Sequence, residues 1–387
     1  MRKNFTLFGA IFFFIASFLN VAMARNSPNI YNKETRRVIS VRSGTFIFTF
    51  DPDGSNFEVV PEITGLAYFN AITYGNNTYV AVADDATIWY SPNGNNGTWK
   101  EATLHGEANF QAVEYGNNGR FVAVATEGTI WYSDDGANWA ESQSRDLSLY
   151  DPNFYEVIYA NGVFVAVGVV LGPVTAIFTS TDGESWHMAS IGPDNLPGVF
   201  RSIAYGNNTF VAVGTNGSIY MSNDNGNDWN NVSLPKNNNP YLDNNLYAVT
   251  YGKGVFVAVG DNASIWYSND GTHWAPASGI DQDNMTFSSV TYGNGVFVAA
   301  IGDNSSDFNP TDKTIWSSTD GVNWQAVGGL QQNPCNDSYY PTFDSVDFFG
   351  DFFIATNRHP FSIATYPEYY APDGQNWSSV QQKMGGC

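Results

Sequence analysis

Cysteine, histidine and basic residues are scarce in this chain. There are two cysteines, Cys335 and Cys387, and four histidines in 387 residues. The histidines show no ligand spacing, so the sequence offers no zinc centre. Lys and Arg number 16 against 37 Asp and Glu, a formal charge of −21. So acidic a surface repels nucleic acid and anionic membranes. Nucleophile-elbow, phosphate-loop and dinucleotide-binding patterns are absent. No calcium-loop pattern orders the carboxylates of Asp303 and Asp307. The expectation is a protein without cofactor or metal.

Long apolar runs are also missing, with one exception. Residues 7–21 are apolar, follow Arg2 and Lys3, and precede Ala22-Met23-Ala24. That order reads as a signal peptide over residues 1–24, with a mature chain from Arg25. The run is too short and wrongly flanked for a membrane span. The expectation is therefore a secreted or periplasmic protein. Two cysteines in an exported chain read as a Cys335–Cys387 disulfide.

Aromatic residues, by contrast, make up 16% of the chain, and Gly, Asn, Ser and Thr are abundant. They fall into seven copies of one pattern over residues 66–387. Each copy opens with a first strand, at 69–74, 110–115, 154–159, 200–205, 246–251, 287–292 and 343–348. A Gly- or Asn-rich turn follows, such as Gly75-Asn76-Asn77, suited to the positive φ of a tight hairpin. The second strand is an apolar run such as Phe256-Val-Ala-Val-Gly260, with little polar alternation, as expected for burial on both faces. A third strand carries Ile265-Trp-Tyr267 or its equivalent, and a fourth begins at a tryptophan. Those tryptophans recur every 40 to 53 residues, from Trp99 to Trp377. Four strands at that period predict an all-β fold, a single β-propeller of seven four-stranded blades. Residues 25–65 hold a further partial repeat, Thr45–Phe50 and Asp51-Pro-Asp-Gly-Ser-Asn-Phe57. It fits either a closing hairpin beside seven blades or a partial eighth blade; seven is the reading adopted.

The turn before each tryptophan is the most specific motif. It reads Ser133-Asp-Asp-Gly-Ala-Asn-Trp139, Ser180-Thr-Asp-Gly-Glu-Ser-Trp186, Ser268-Asn-Asp-Gly-Thr-His-Trp274 and Ser318-Thr-Asp-Gly-Val-Asn-Trp324, with looser copies ending at Trp99, Trp229 and Trp377. In these residues the chain resembles the Asp-box (BNR) repeat family, the sialidase-like propellers. The resemblance implies a structural role for the turns. It also raises sialidase activity, which requires three arginines, a Tyr nucleophile with a Glu partner, and an acid. The chain lacks the Phe-Arg-Ile-Pro type motif of such enzymes and is poor in arginine, with Arg120, Arg145, Arg201 and Arg358 alone in the repeats. Other members cut neutral polysaccharides with paired Asp residues.

Consecutive antiparallel strands divide the loops between two faces. One face carries the first turns and the Ser-Asp-Gly-Trp turns, short and uniform. The other carries the second loops and the inter-blade linkers, which hold every long insertion, such as 143–153, 191–199, 235–245 and 302–313. Variable loops on a rigid scaffold mark the working face. The second residue of each first strand lies near it and differs from copy to copy: Asn70, Gln111, Tyr155, Arg201, Tyr247, Ser288 and Asp344. These seven are the candidate ligand-binding residues; no catalytic residue can be chosen among acids such as Asp84, Asp85, Asp146, Asp151 and Asp261. The expected function is non-catalytic binding of a glycan or protein on the linker face. The alternative is a glycoside hydrolase using a carboxylate pair there.

Overall fold

A computed structural model describes residues 29–32, 37–41, 47–50, 58–60, 63, 69–104, 106, 108–170, 174–192, 198–232, 234–235, 245–280, 285–302, 314–327, 343–349, 352–356 and 369–379. The signal-peptide expectation for residues 1–24 and the expected Cys335–Cys387 bridge lie outside the described residues.

The seven repeats form seven blades of four antiparallel strands. Their first strands are Phe69–Gly75, Phe110–Tyr115, Asn153–Ala160, Phe200–Gly206, Leu246–Gly252, Phe287–Gly293 and Ser345–Phe349, here blades 1 to 7. First strands of successive blades touch all along the series, so they form the inner wall. The N-terminal segment is more than a hairpin. Asn29–Asn32, Arg37–Val41, Ile47–Phe50 and Glu58–Val59 pair in order as a complete four-stranded sheet. Its first strand contacts the first strand of blade 1 on one side and that of blade 7 on the other. This sheet stands between the first and last repeats and closes the ring.

The second strands explain why one blade cannot stand alone. In blade 5, Val255–Gly260, the side chains alternate between faces. Val257 and Val259 join a cluster with Phe287 and Trp316 of blade 6. Phe256 and Ala258 join another with Val211 and Val213 of blade 4. All are fully buried, each large side chain contributing roughly 1.5–3 kcal/mol. Both faces are therefore core, and the missing polar alternation in the sequence follows.

The two faces are sorted as the strand order predicts. On one, Asn76 Nδ2 donates to Asp134 O (3.3 Å) and Asn118 Nδ2 to Thr181 O (3.3 Å), joining each first turn to the next blade's Ser-Asp-Gly-Trp turn. Arg120 lies there too, bridging Asp134 (2.8 Å) and Glu184 (3.2 Å). On the other, the second loops meet the linkers: Gly128 N–H donates to Pro152 O (2.7 Å) and Ala263 N–H to Met285 O (2.6 Å). The linker expected as an open loop at 143–153 holds a helix, Arg145–Tyr150, anchored by buried Leu147 and by Met188 N–H donating to Asp146 Oδ2 (3.1 Å). Around the rim, the tail of a blade runs parallel to the turn of the next. Ser190–Ile191 adds a fifth strand to blade 4 beside Asp228–Trp229, and Thr103 and Ser278 bridge to Asn138 and Asn323 in the same sense.

The turns are locked by side chains. In blade 6, Ser318 Oγ accepts Gly321 N–H (2.9 Å) and donates to Asp320 Oδ1 (2.9 Å). Asp320 Oδ1 accepts the N–H groups of Val322 and Asn323 (both 2.8 Å), and Asn323 Nδ2 donates to Oδ2 (2.8 Å). Trp324 Nε1 closes the turn on Gly321 O (3.1 Å), and Gly321 takes φ 76°. Partial burial opposes the Asp320 charge, but the bonds from Asn323, Val322 and Ser318 outweigh it and hold the carboxyl at about 2. A carboxyl lowered on folding adds stability above its unfolded value, roughly 4. That stability is lost as pH falls through about 2. Thermal unfolding followed between pH 5 and 2 should show a steep acid decline, and Asp320→Asn should make it shallower while lowering Tm at neutral pH.

Candidate functional site

The seven candidate positions share one backbone feature. In blades 1 to 6 the pairing of first and second strands skips a residue, and the skipped residue is Asn70, Gln111, Tyr155, Arg201, Tyr247 or Ser288. Each is a β-bulge, a device that re-aims a side chain at a strand end. Asp344 precedes the first strand of blade 7 and is half-buried.

Their side chains then part company. Asn70 Nδ2 donates to Phe110 O (2.6 Å), and Ser288 Oγ to Phe343 O (2.6 Å), so both tie one blade to the next. Gln111 Nε2 turns back to Asn109 O (3.3 Å). Blades 3, 4 and 5 differ. There the bulge residues are large, and they gather. The Arg201 guanidinium lies over the Tyr155 ring at 5.6 Å. It is also within electrostatic reach of Tyr247 and Asp261. Tyr247 OH donates to Asp261 Oδ2 (3.3 Å), as does Asn245 Nδ2 (2.9 Å), and Thr286 Oγ1 donates to Oδ1 (3.1 Å). Burial first, then the Asp261 charge, pushes the Tyr247 phenol up to about 12. Burial lowers Arg201, opposed by the negative charge of Asp261. Of the described acids named from sequence, Asp261 enters this group.

Glycines seat the same three blades. Opposite the residue just before each bulge, their second strands carry Gly168, Gly214 and Gly260, where blades 1 and 2 have Ala83 and Ala125. A Cβ on Gly260 would stand 2.0 Å from Asn245 O, and one on Gly168 2.0 Å from Asn153 O. The backbone leading into each bulge thus presses onto the second strand. Next to Gly260, Asp261 N–H donates to Asn245 O (3.0 Å). Two residues on, Ala263 takes φ 55°, a left-handed conformation costly for alanine.

Below the bulges lie two acids that sequence reading missed, Glu114 and Glu156, on the first strands of blades 2 and 3. Glu156 Oε2 accepts Ile203 N–H (2.9 Å) and the residue is buried. Ser202 and Ser289 do the same for Val249 N–H and Val346 N–H (both 3.2 Å). Each satisfies an edge donor of the next blade that has no strand to pair with. Burial pushes both glutamates up to about 8, and the Glu114 charge adds to the rise at Glu156. No sequence signal marked Glu156, because its partner is 47 residues away. Among the described residues no three His, Cys, Asp or Glu are placed to share a metal ion, and no helix is long and apolar enough to cross a membrane.

No protein-family description and no curated protein sequence matches this chain. Solved structures do. The computationally designed Ika8 protein superposes with a TM-score of 0.60 at 13% identity, over 87% of this chain and 93% of its own. The Dos1 propeller gives 0.59 at 8% identity, over 86% and 90%. YCF48 bound to a D1 peptide gives 0.54 at 15% identity, over 85% and 94%. At these identities the likeness is one of fold. The chain is a β-propeller.

Two outcomes test the site's construction. Gly260→Ala should lose about 1–3 kcal/mol in denaturant unfolding, because the methyl meets backbone. Glu156 and Glu114 have pKa values raised on folding, so their stability contribution is complete below the unfolded value and is lost as pH rises to about 8. Tm should fall between pH 5 and 8, and Glu114→Gln with Glu156→Gln should flatten that fall.

Proposed function

We propose that this propeller is an exported, non-catalytic scaffold that holds a glycan or protein ligand at the channel mouth on the linker face. The observation that carries the reading is the gathering of Tyr155, Arg201 and Tyr247 from three consecutive blades, each raised on a bulge. Aromatic and arginine side chains are the residue types that dominate recognition energies. YCF48, a propeller of comparable fold, has been solved with a D1 peptide. It supports a binding role for such a scaffold and says nothing of this chain's ligand. The Ser-Asp-Gly-Trp turns support kinship with the Asp-box propellers, and their side chains are occupied within the turns.

The test is a paired screen of the mature chain against a peptide array and a glycan array, with hydrolysis assays on neutral polysaccharides. Binding is expected, without turnover. Tyr247→Ala should weaken it by about tenfold or more, while Asn118→Ala on the opposite face should leave it unchanged. Turnover of a polysaccharide that disappears when one linker-face acid is replaced would establish the hydrolase alternative instead.

A further inference from the structure

We propose that Arg201 receives the carboxylate of a peptide, either a chain terminus or an acidic side chain, at the channel mouth. This rests on the binding role proposed above and specifies its ligand. Arg201 is 5% exposed, and its Nε and Nη1 are buried with no hydrogen-bond acceptor among the described residues. Its described contact is the face of Tyr155, which stabilises the cation but accepts no N–H in the guanidinium plane. Asp261, the acid within electrostatic reach, already takes donors from Asn245, Tyr247 and Thr286. A desolvated guanidinium without acceptors is strongly destabilising. A carboxylate supplies the missing acceptors through short charge-assisted bonds.

The surroundings narrow the ligand further. Polyanions are repelled by a chain of formal charge −21; one carboxylate on an otherwise neutral or basic segment is not. Tyr155 and Tyr247 beside Arg201 are themselves only 7% and 4% exposed, which favours a ligand group of small cross-section. A peptide carboxylate sits at the end of a slender group. The carboxylate of a uronic acid is fixed to a sugar ring, and the ring would have to enter with it.

The test uses an array of random dodecapeptides printed in matched forms, with carboxyl groups free or converted to amides, beside an array of uronate glycans. The best peptide is then titrated by fluorescence anisotropy against wild type, Arg201→Met and Arg201→Lys. Wild type should prefer the free acid by roughly 10- to 100-fold, the range for hydrogen bonds to a charged group. Arg201→Met should bind both forms equally and weakly. It should also melt no lower than wild type, since an unpaired buried charge has gone; a purely structural arginine would give a lower Tm. Equal binding of acid and amide by wild type overturns the inference, and that comparison needs no variant to fold. A preference for the acid that survives in Arg201→Met also overturns it. Binding of uronates alone overturns the peptide assignment and leaves the binding role standing. No binding on either array overturns both.

Discussion

The burial of one blade against the next is the constraint from which the rest of this structure follows. A single four-stranded sheet here has apolar side chains on both sides of its second strand. It reaches water-free surroundings only with a neighbour on each flank, and that condition, applied to every blade, demands a ring. The clusters record it directly, since Val257 and Phe256 are adjacent in sequence yet belong to cores shared with different neighbours. Polar devices reinforce the same seams. Glu156, Ser202 and Ser289 satisfy inner-edge N–H groups of the following blade, and the rim tails pair with the following turns.

Much of this could be read from the sequence because the repeat is physical as well as textual. Strand order fixed which loops share a face, and hydrogen bonds such as Asn76 to Asp134 and Ala263 to Met285 agree with that assignment. The copy-to-copy variation at Asn70, Gln111, Tyr155, Arg201, Tyr247, Ser288 and Asp344 drew attention to one position. What the sequence did not disclose is that this position is a bulge, because a bulge is a property of pairing register and leaves no composition of its own. Nor did it separate the side chains that gather from those that tie blades together. Asn70 and Ser288 look as available as Arg201 until the carbonyls of Phe110 and Phe343 are seen in front of them. One signal was visible and unused: the second strands of blades 3, 4 and 5 carry a glycine opposite the residue just before the bulge. The N-terminal segment was under-read for a similar reason. Its strands Asn29–Asn32 and Arg37–Val41 depart from the repeat pattern, yet they complete a sheet.

The candidate site uses the scaffold's regularity by departing from it. Six blades carry the same bulge, but glycine behind it in three consecutive blades lets the linker backbone close in. Larger side chains then stand where neighbouring blades have Asn, Gln or Ser. A local cluster arises without any change of fold, and its members inherit the rigidity of strands rather than the freedom of loops. The same seating holds Asp261 beside Tyr247, and sets the charge balance around Arg201.

The sheet formed by residues 29–59 touches both the first and the last repeat. In a chain made from its amino end, the strands synthesised first must wait for those synthesised last before their second flank is covered. Closure is therefore a late, non-local step that brings together segments more than 300 positions apart, and topologies of that kind assemble slowly. Until it occurs, the nascent protein is an open fan with unprotected apolar edges at both extremities, and the time spent in that state sets its exposure to aggregation and to chaperones.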